Sequence, residues 1–143
     1  MNKYVLPSFL VNIISDKEYK KWLQRKSQAH FRRDKKKRYN DISISLYKTL
    51  IHKAVELSRG YDDYTGEKLD WHLISKYNNK DSQNSGVEYK RAFSNLPTVD
   101  HELKNKRNKF KICSWKINDI KSDLTLNELL IECKKLIEFN REV

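Results

Sequence analysis

Pro97-Thr98-Val99-Asp100-His101 and, further on, Asn118-Asp119-Ile120-Lys121 decide the reading of this chain. Asp100 offers a hard carboxylate oxygen, Asn118 an amide oxygen, and His101 a base whose ordinary pKa lies near neutrality. Two oxygen donors beside one imidazole can hold a divalent ion and activate a water next to it. The context orders these groups. An apolar run ends at Val99 directly before the pair, and a second, Phe110-Lys111-Ile112-Cys113-Ser114-Trp115, precedes Asn118. A helical pattern follows. The order is strand, Asp-His, connection, strand, Asn, helix.

In this order the residues resemble the HNH endonucleases, the ββα-metal nucleases. In that family an apolar strand ends in Asp-His, a return strand follows, and C-N-x-x-K or C-H-x-x-K opens a helix. Val99-Asp100-His101 matches the first part and Ile117-Asn118-Asp119-Ile120-Lys121 the second. Tyr61-Asp62-Asp63-Tyr64-Thr65-Gly66-Glu67-Lys68-Leu69 stands where many members carry a C-x-x-C-G knuckle and a hairpin, so the resemblance covers residues 61 to 123. The middle asparagine of the family name falls at Asn108 or Asn105. Tyr61 and Tyr64 stand in for the knuckle cysteines, and Ile117 for the partner of Cys113. Phenol and alkyl groups cannot replace thiolates around zinc, so no structural zinc is expected.

The resemblance implies a role for each matching residue. His101 would be the general base that takes a proton from the attacking water. Asp100 and Asn118 would hold one divalent metal, Mg2+ or Mn2+. Lys121 matches the motif's lysine and would support the site or neutralise phosphate. The implied activity is metal-dependent hydrolysis of phosphodiester bonds in nucleic acid, DNA first. Neighbouring strand residues point to opposite faces, so Asp100 and His101 serve one site only if the strand ends or twists there. The alternative is a non-catalytic nucleic-acid-binding module with a decayed HNH site. A third reading is an adaptor whose positive face meets an acidic protein.

The net charge of +11 agrees with a polyanionic partner, most simply nucleic acid. At 143 residues, with eight tyrosines, three tryptophans and few glycines and prolines, the chain reads as one compact α+β domain, 1–143. A basic helical part over 15–60 feeds the ββα-metal core of 61–123, and a C-terminal packing helix occupies 124–143. Two cysteines form no disulfide framework, and Cys133 reads as core, so a cytoplasmic setting is expected. No stretch is long enough to span a bilayer, so no membrane partner is expected. Tyr4 to Ile14 reads as a short docking segment.

Ser15-Asp16-Lys17-Glu18 is a capping box that starts a helix running into the thirties, with Tyr19, Trp22, Leu23 and Lys26 on one face. A second helix runs from Ser43 to Arg59, and Gly60 is expected to supply the left-handed residue after it. His30 and His52 read as structural or surface histidines. Gly66 marks a tight turn, Asp70 caps a short helix, and 78–86 reads as a surface loop. Glu102 to Lys109 reads as a polar connection, Phe110 to Trp115 as the return strand, and Leu126 to Ile137 as an amphipathic stripe.

The residues expected to meet nucleic acid are Arg25, Arg32, Arg33, Lys35, Lys36, Lys37, Arg38, Lys104, Lys106, Arg107 and Lys109. Within the run from Arg32 to Arg38 only Asp34 breaks the positive charge. If this run follows phosphates, neutralising Arg32, Arg33, Lys35 and Lys36 together weakens binding to unrelated sequences alike. Each lost contact then lowers the slope of log affinity against log salt by roughly 0.9 on duplex DNA. A salt titration of both proteins reads this directly, and an unchanged slope assigns the run to a solvated surface.

Overall fold

Four residues of rise on an α-helix nearly match two residues of β-strand, and the fold uses this match to lay a helix along a strand. The computed structural model describes residues 3–37, 42–103 and 106–141. Helix α1 (Asp16–Lys35) starts at the expected capping box, in which Ser15 Oγ accepts from the Glu18 amide and the Glu18 carboxylate accepts from the Ser15 amide. Tyr19, Trp22 and Leu23 form its buried apolar face, against Tyr47, Ile51 and Val55 of α2 (Ile44–Ser58). The same face continues as a polar stripe. Lys26 Nζ donates to Thr98 Oγ1 at 3.1 Å, His30 Nε2 donates to the Val99 carbonyl at 3.1 Å, and Asp34 Oδ2 lies 3.3 Å from His101 Nε2. These three residues climb about 12 Å of helix, and their partners cover about 10 Å of strand.

That strand is β1 (Pro97–Leu103), paired antiparallel with β2 (Lys106–Ser114). Val99, Phe110 and Ile112 join the core beneath α1 and α2. Ser114 caps α4 (Trp115–Lys121), its side chain accepting from the Ile117 amide. The hairpin is longer than the sequence suggests. Asp100 and His101 sit within β1 rather than at its end, and the expected connection from Glu102 to Lys109 is largely strand. Asp100 and His101 pair in regular register with Lys111 and Phe110, and a register irregularity follows between His101 and Leu103.

The segment at the knuckle position is tied to β2 by carboxylates. Asp62, 2% exposed, accepts from the amides of Tyr64 and Thr65 with one oxygen and from Ser114 N at 2.8 Å with the other. Asp63 accepts from Ile112 N at 2.8 Å, and Tyr61 bridges to Lys68 across the turn at Gly66, whose φ is +76°. Among the cysteine-replacing positions, Tyr61 is exposed and Ile117 half-buried, while Tyr64 donates to Asp100. Cys113 is fully buried, and burial pushes its thiol up.

Other expectations need correction. Residues 78–86 form most of helix α3 (Asn79–Ala92), broken at Gly86, rather than a loop. Asn78 caps it by accepting from Lys80 N and Asp81 N, and Tyr89 and Phe93 stack at 4.3 Å against Tyr77, which the polar middle of the helix conceals. Arg59, not Gly60, is the left-handed cap of α2, although Gly60 also has positive φ. Asp70 precedes the 3-10 turn Trp71–Ser75 without a side-chain cap bond. Helix α5 (Leu126–Asn140) starts at a capping box of Thr125 and Glu128 but buries none of its residues. Its apolar stripe is exposed, with Leu136, Ile137 and Phe139 facing outward and Cys133 only half-buried, and none of its residues joins the core described above. The docking segment does bury Leu10 and Ile14 in the core. No helix among the described residues is long and apolar enough to cross a membrane.

Replacing Asp62 with alanine strands three amides and is expected to cost about 3 kcal/mol. Asp62→Asn keeps one acceptor and is expected to lose less. Urea unfolding with a shared slope reads both, and an alanine variant as stable as the wild type would show that the tether contributes nothing.

Candidate active site

β1, α4 and the end of α1 bound a cleft of about 480 Å3 lined by Asp100, His101, Lys121, Arg33 and Lys37, closed by Ser122, Asp123 and Thr125. Asp100 and His101 both reach it, although they are neighbours on a strand. Three of the expected residues thus come together. Asn118 does not join them. Asn118 lines a second cavity, beside Lys26, Thr98 and Trp115. On a helix, residues three apart differ by about 60° in direction, which lets Lys121 face one cavity and Asn118 the other.

Asp100 is clamped through one oxygen. Its Oδ2 accepts from the Tyr64 hydroxyl at 2.8 Å and meets Lys121 Nζ at 2.9 Å, while no described residue holds Oδ1. Lys121 is 3% exposed and also lies over the Tyr64 ring. Burying an ammonium costs several kcal/mol unless a carboxylate offsets it, so this pair stands or falls together.

His101 is held on three sides. Its ring stacks on Phe110 at 4.8 Å and meets the edge of His30 at 4.9 Å. Its Nε2 lies 3.3 Å from Asp34 Oδ2. Asp34 is 1% exposed and accepts from the Tyr47 hydroxyl on α2. Burial, with His101 and Arg33 nearby, pushes the His30 pKa down to about 3. His30 is therefore neutral, and its bond to the Val99 carbonyl puts its proton on Nε2. The carboxylate of Asp34 at Nε2 favours a proton at that nitrogen of His101 as well.

Of the residues expected to meet nucleic acid, Arg33 and Lys37 line the cleft and Arg25 lines the second cavity. Arg32, Lys35 and Lys36 are exposed along the end of α1, and Lys109 is exposed on β2. Lys106 and Arg107 lie on β2, as does Asn108. Arg38, Lys104 and Asn105 lie outside the described residues. Sequence reasoning missed Asp34, Tyr47, Tyr64 and the role of His30. The signal for Asp34 is its spacing: Ser27, His30 and Asp34 extend the buried stripe of Tyr19 and Leu23 at helical intervals.

Comparison with protein-family models, curated proteins and solved structures finds no match to this chain.

The Asp100–Lys121 pair gives a stability test. Asp100→Asn leaves a buried ammonium and is expected to cost about 3 kcal/mol. Lys121→Met leaves a carboxylate that Tyr64 still serves, and costs less. The double variant is expected to be more stable than the sum of the single losses. Additive losses in urea unfolding would mean that the pair is not coupled.

Proposed function

We propose that the chain is a metal-dependent endonuclease that hydrolyses phosphodiester bonds, with DNA as its first substrate. One observation carries this reading: a carboxylate with one open oxygen and an imidazole share a cleft rimmed by Arg33 and Lys37. Arg33 and Lys37 at the rim offer their charge to phosphate, and the net charge of +11 extends the attraction beyond them.

Asp100 suits a hard ion. Magnesium is commonly held by one or two carboxylates, with water and phosphate filling the shell, and the clamp by Tyr64 and Lys121 orients the oxygen that would bind it. Asn118, in the other cavity, supplies no second ligand in this arrangement. When bound, the ion would polarise a non-bridging oxygen and stabilise the departing 3′ oxygen.

His101 is the proposed base. In its neutral form it accepts a proton from the attacking water, and the growing positive charge on the ring is stabilised by Asp34 behind it. Asp34 acts as a positioning residue, with Tyr47 holding it. Arg33 and Lys37 bind the backbone, and Lys121 orients Asp100.

A binding module with a decayed site is the second reading. It is favoured by the ion pair that already occupies Asp100 and by the separate location of Asn118. Cleavage separates the two. Supercoiled, linear and single-stranded DNA and RNA, incubated with magnesium, manganese or chelator, are expected to show metal-dependent cutting. His101→Ala is expected to lower the rate by about 100-fold or more while folding and DNA affinity persist. Asp34→Asn is expected to lower kcat with little change in KM. Wild-type rates in the alanine variant remove His101 as the base, and binding without cutting in any condition establishes the second reading.

A further inference from the structure

The second cavity has a chemistry of its own. It is a half-open hollow of about 170 Å3 between α1, the Trp71–Ser75 turn, the start of β1 and α4. One water needs about 15 Å3 by a comparable measure, and a cavity of roughly 150 Å3 holds benzene, so the space suits a ring. Its walls are flat: Trp22, Tyr77 and Trp115 line it, the last two packed edge to face at 5.6 Å.

Its polar groups are mostly donors. Lys26 Nζ contacts the Thr98 hydroxyl and has no carboxylate partner among the described residues. Asn118 adds an amide, and Arg25 is exposed at the edge. Trp22 Nε1 is buried without a hydrogen-bond partner. Burial pushes the Lys26 pKa down to about 8, with Arg25 adding to the effect. An acceptor brought into the cavity would stabilise the charged form.

The cavity also adjoins the cleft. Thr98 lines the one and Asp100 the other, two residues apart on one face of β1, about 7 Å along the strand. Asn118 and Lys121 repeat this relation on α4.

We propose that this cavity receives a nucleobase of the strand whose phosphate lies in the cleft, and that it takes guanine in preference to adenine. Aromatic walls stack any base. An ammonium or guanidinium selects the O6 and N7 acceptors of guanine, where adenine presents an amino donor beside N7. Asn118 then serves base recognition. The proposal rests on the nucleic-acid reading of the cleft but not on cleavage.

The test is binding of mononucleotides to the full chain, read by tryptophan emission and by amide shifts of β1 and α4. GMP, AMP, ribose 5-phosphate and inorganic phosphate are the probes. GMP is expected to bind about tenfold more tightly than AMP, with ribose 5-phosphate weaker still. Lys26→Met is expected to remove most of the GMP preference and Asn118→Ala to weaken it. Circular dichroism checks that each variant is folded; Asn118→Ala decides the matter if Lys26→Met does not fold. Equal responses to GMP and ribose 5-phosphate, or to GMP and AMP, overturn the proposal, as does a folded variant that keeps the wild-type preference. A chain that selects GMP here but cuts nothing keeps the base site and loses the nuclease reading. A chain that cuts but ignores GMP keeps the nuclease reading and loses the base site.

Discussion

The grip of α1 on β1 is the constraint on which the rest depends. Lys26, His30 and Asp34 stand one helical turn apart and meet Thr98, the Val99 carbonyl and His101 in order. Each contact does different work. The lysine braces the second cavity, the histidine fixes the strand backbone, and the aspartate meets the imidazole of the cleft. A two-stranded sheet is marginal alone. Here its inner face is covered by the apolar residues of α1 and α2, and the polar stripe sets the register of helix against strand. Shifting α1 by one residue would turn the stripe by about 100° and separate all three pairs at once.

The outer edge of β2 is secured by the tether at Asp62 and Asp63, which bond its main-chain groups. Carboxylates accept several amides each, and such charge-assisted bonds are among the stronger ones. They tie the turn at Tyr64 to Ile112 and Ser114, and so bring the Tyr64 hydroxyl to Asp100. The tether is therefore continuous with the cleft: the loop that stabilises β2 also orients the carboxylate on β1.

Much of this was legible in the sequence, and the failures have physical causes. Helices α1 and α2 announce themselves by caps and apolar spacing. Asp100, His101 and Lys121 stand together as their order suggests. Helix α3 was hidden because its middle is polar and its support comes from one cap and a cluster of rings at its ends. Asn118 was assigned to the cleft because spacing says that residues share a region of a helix, while a turn of about 60° decides which cavity each one sees. Asp34 looked like a gap in a basic run because composition reports charge and not the face that carries it. The stripe on α5 has the period of a packing helix, but period alone does not supply a partner.

The distances along the chain that separate α1 from its strand have a consequence for biogenesis. Lys26 and Thr98 are 72 residues apart, and His30 and Val99 are 69. Synthesis is directional, so α1 and α2 can pair while β1 is still untranslated, and their polar stripe must wait in water. Loop closure over such a span is an entropic cost that only the finished hairpin offsets. The cleft has no complete lining in a chain shorter than about Thr125, since Lys121 and the residues up to Thr125 form one wall. A nascent chain on the ribosome, surrounded by RNA, therefore carries the basic helix long before it carries the assembled site.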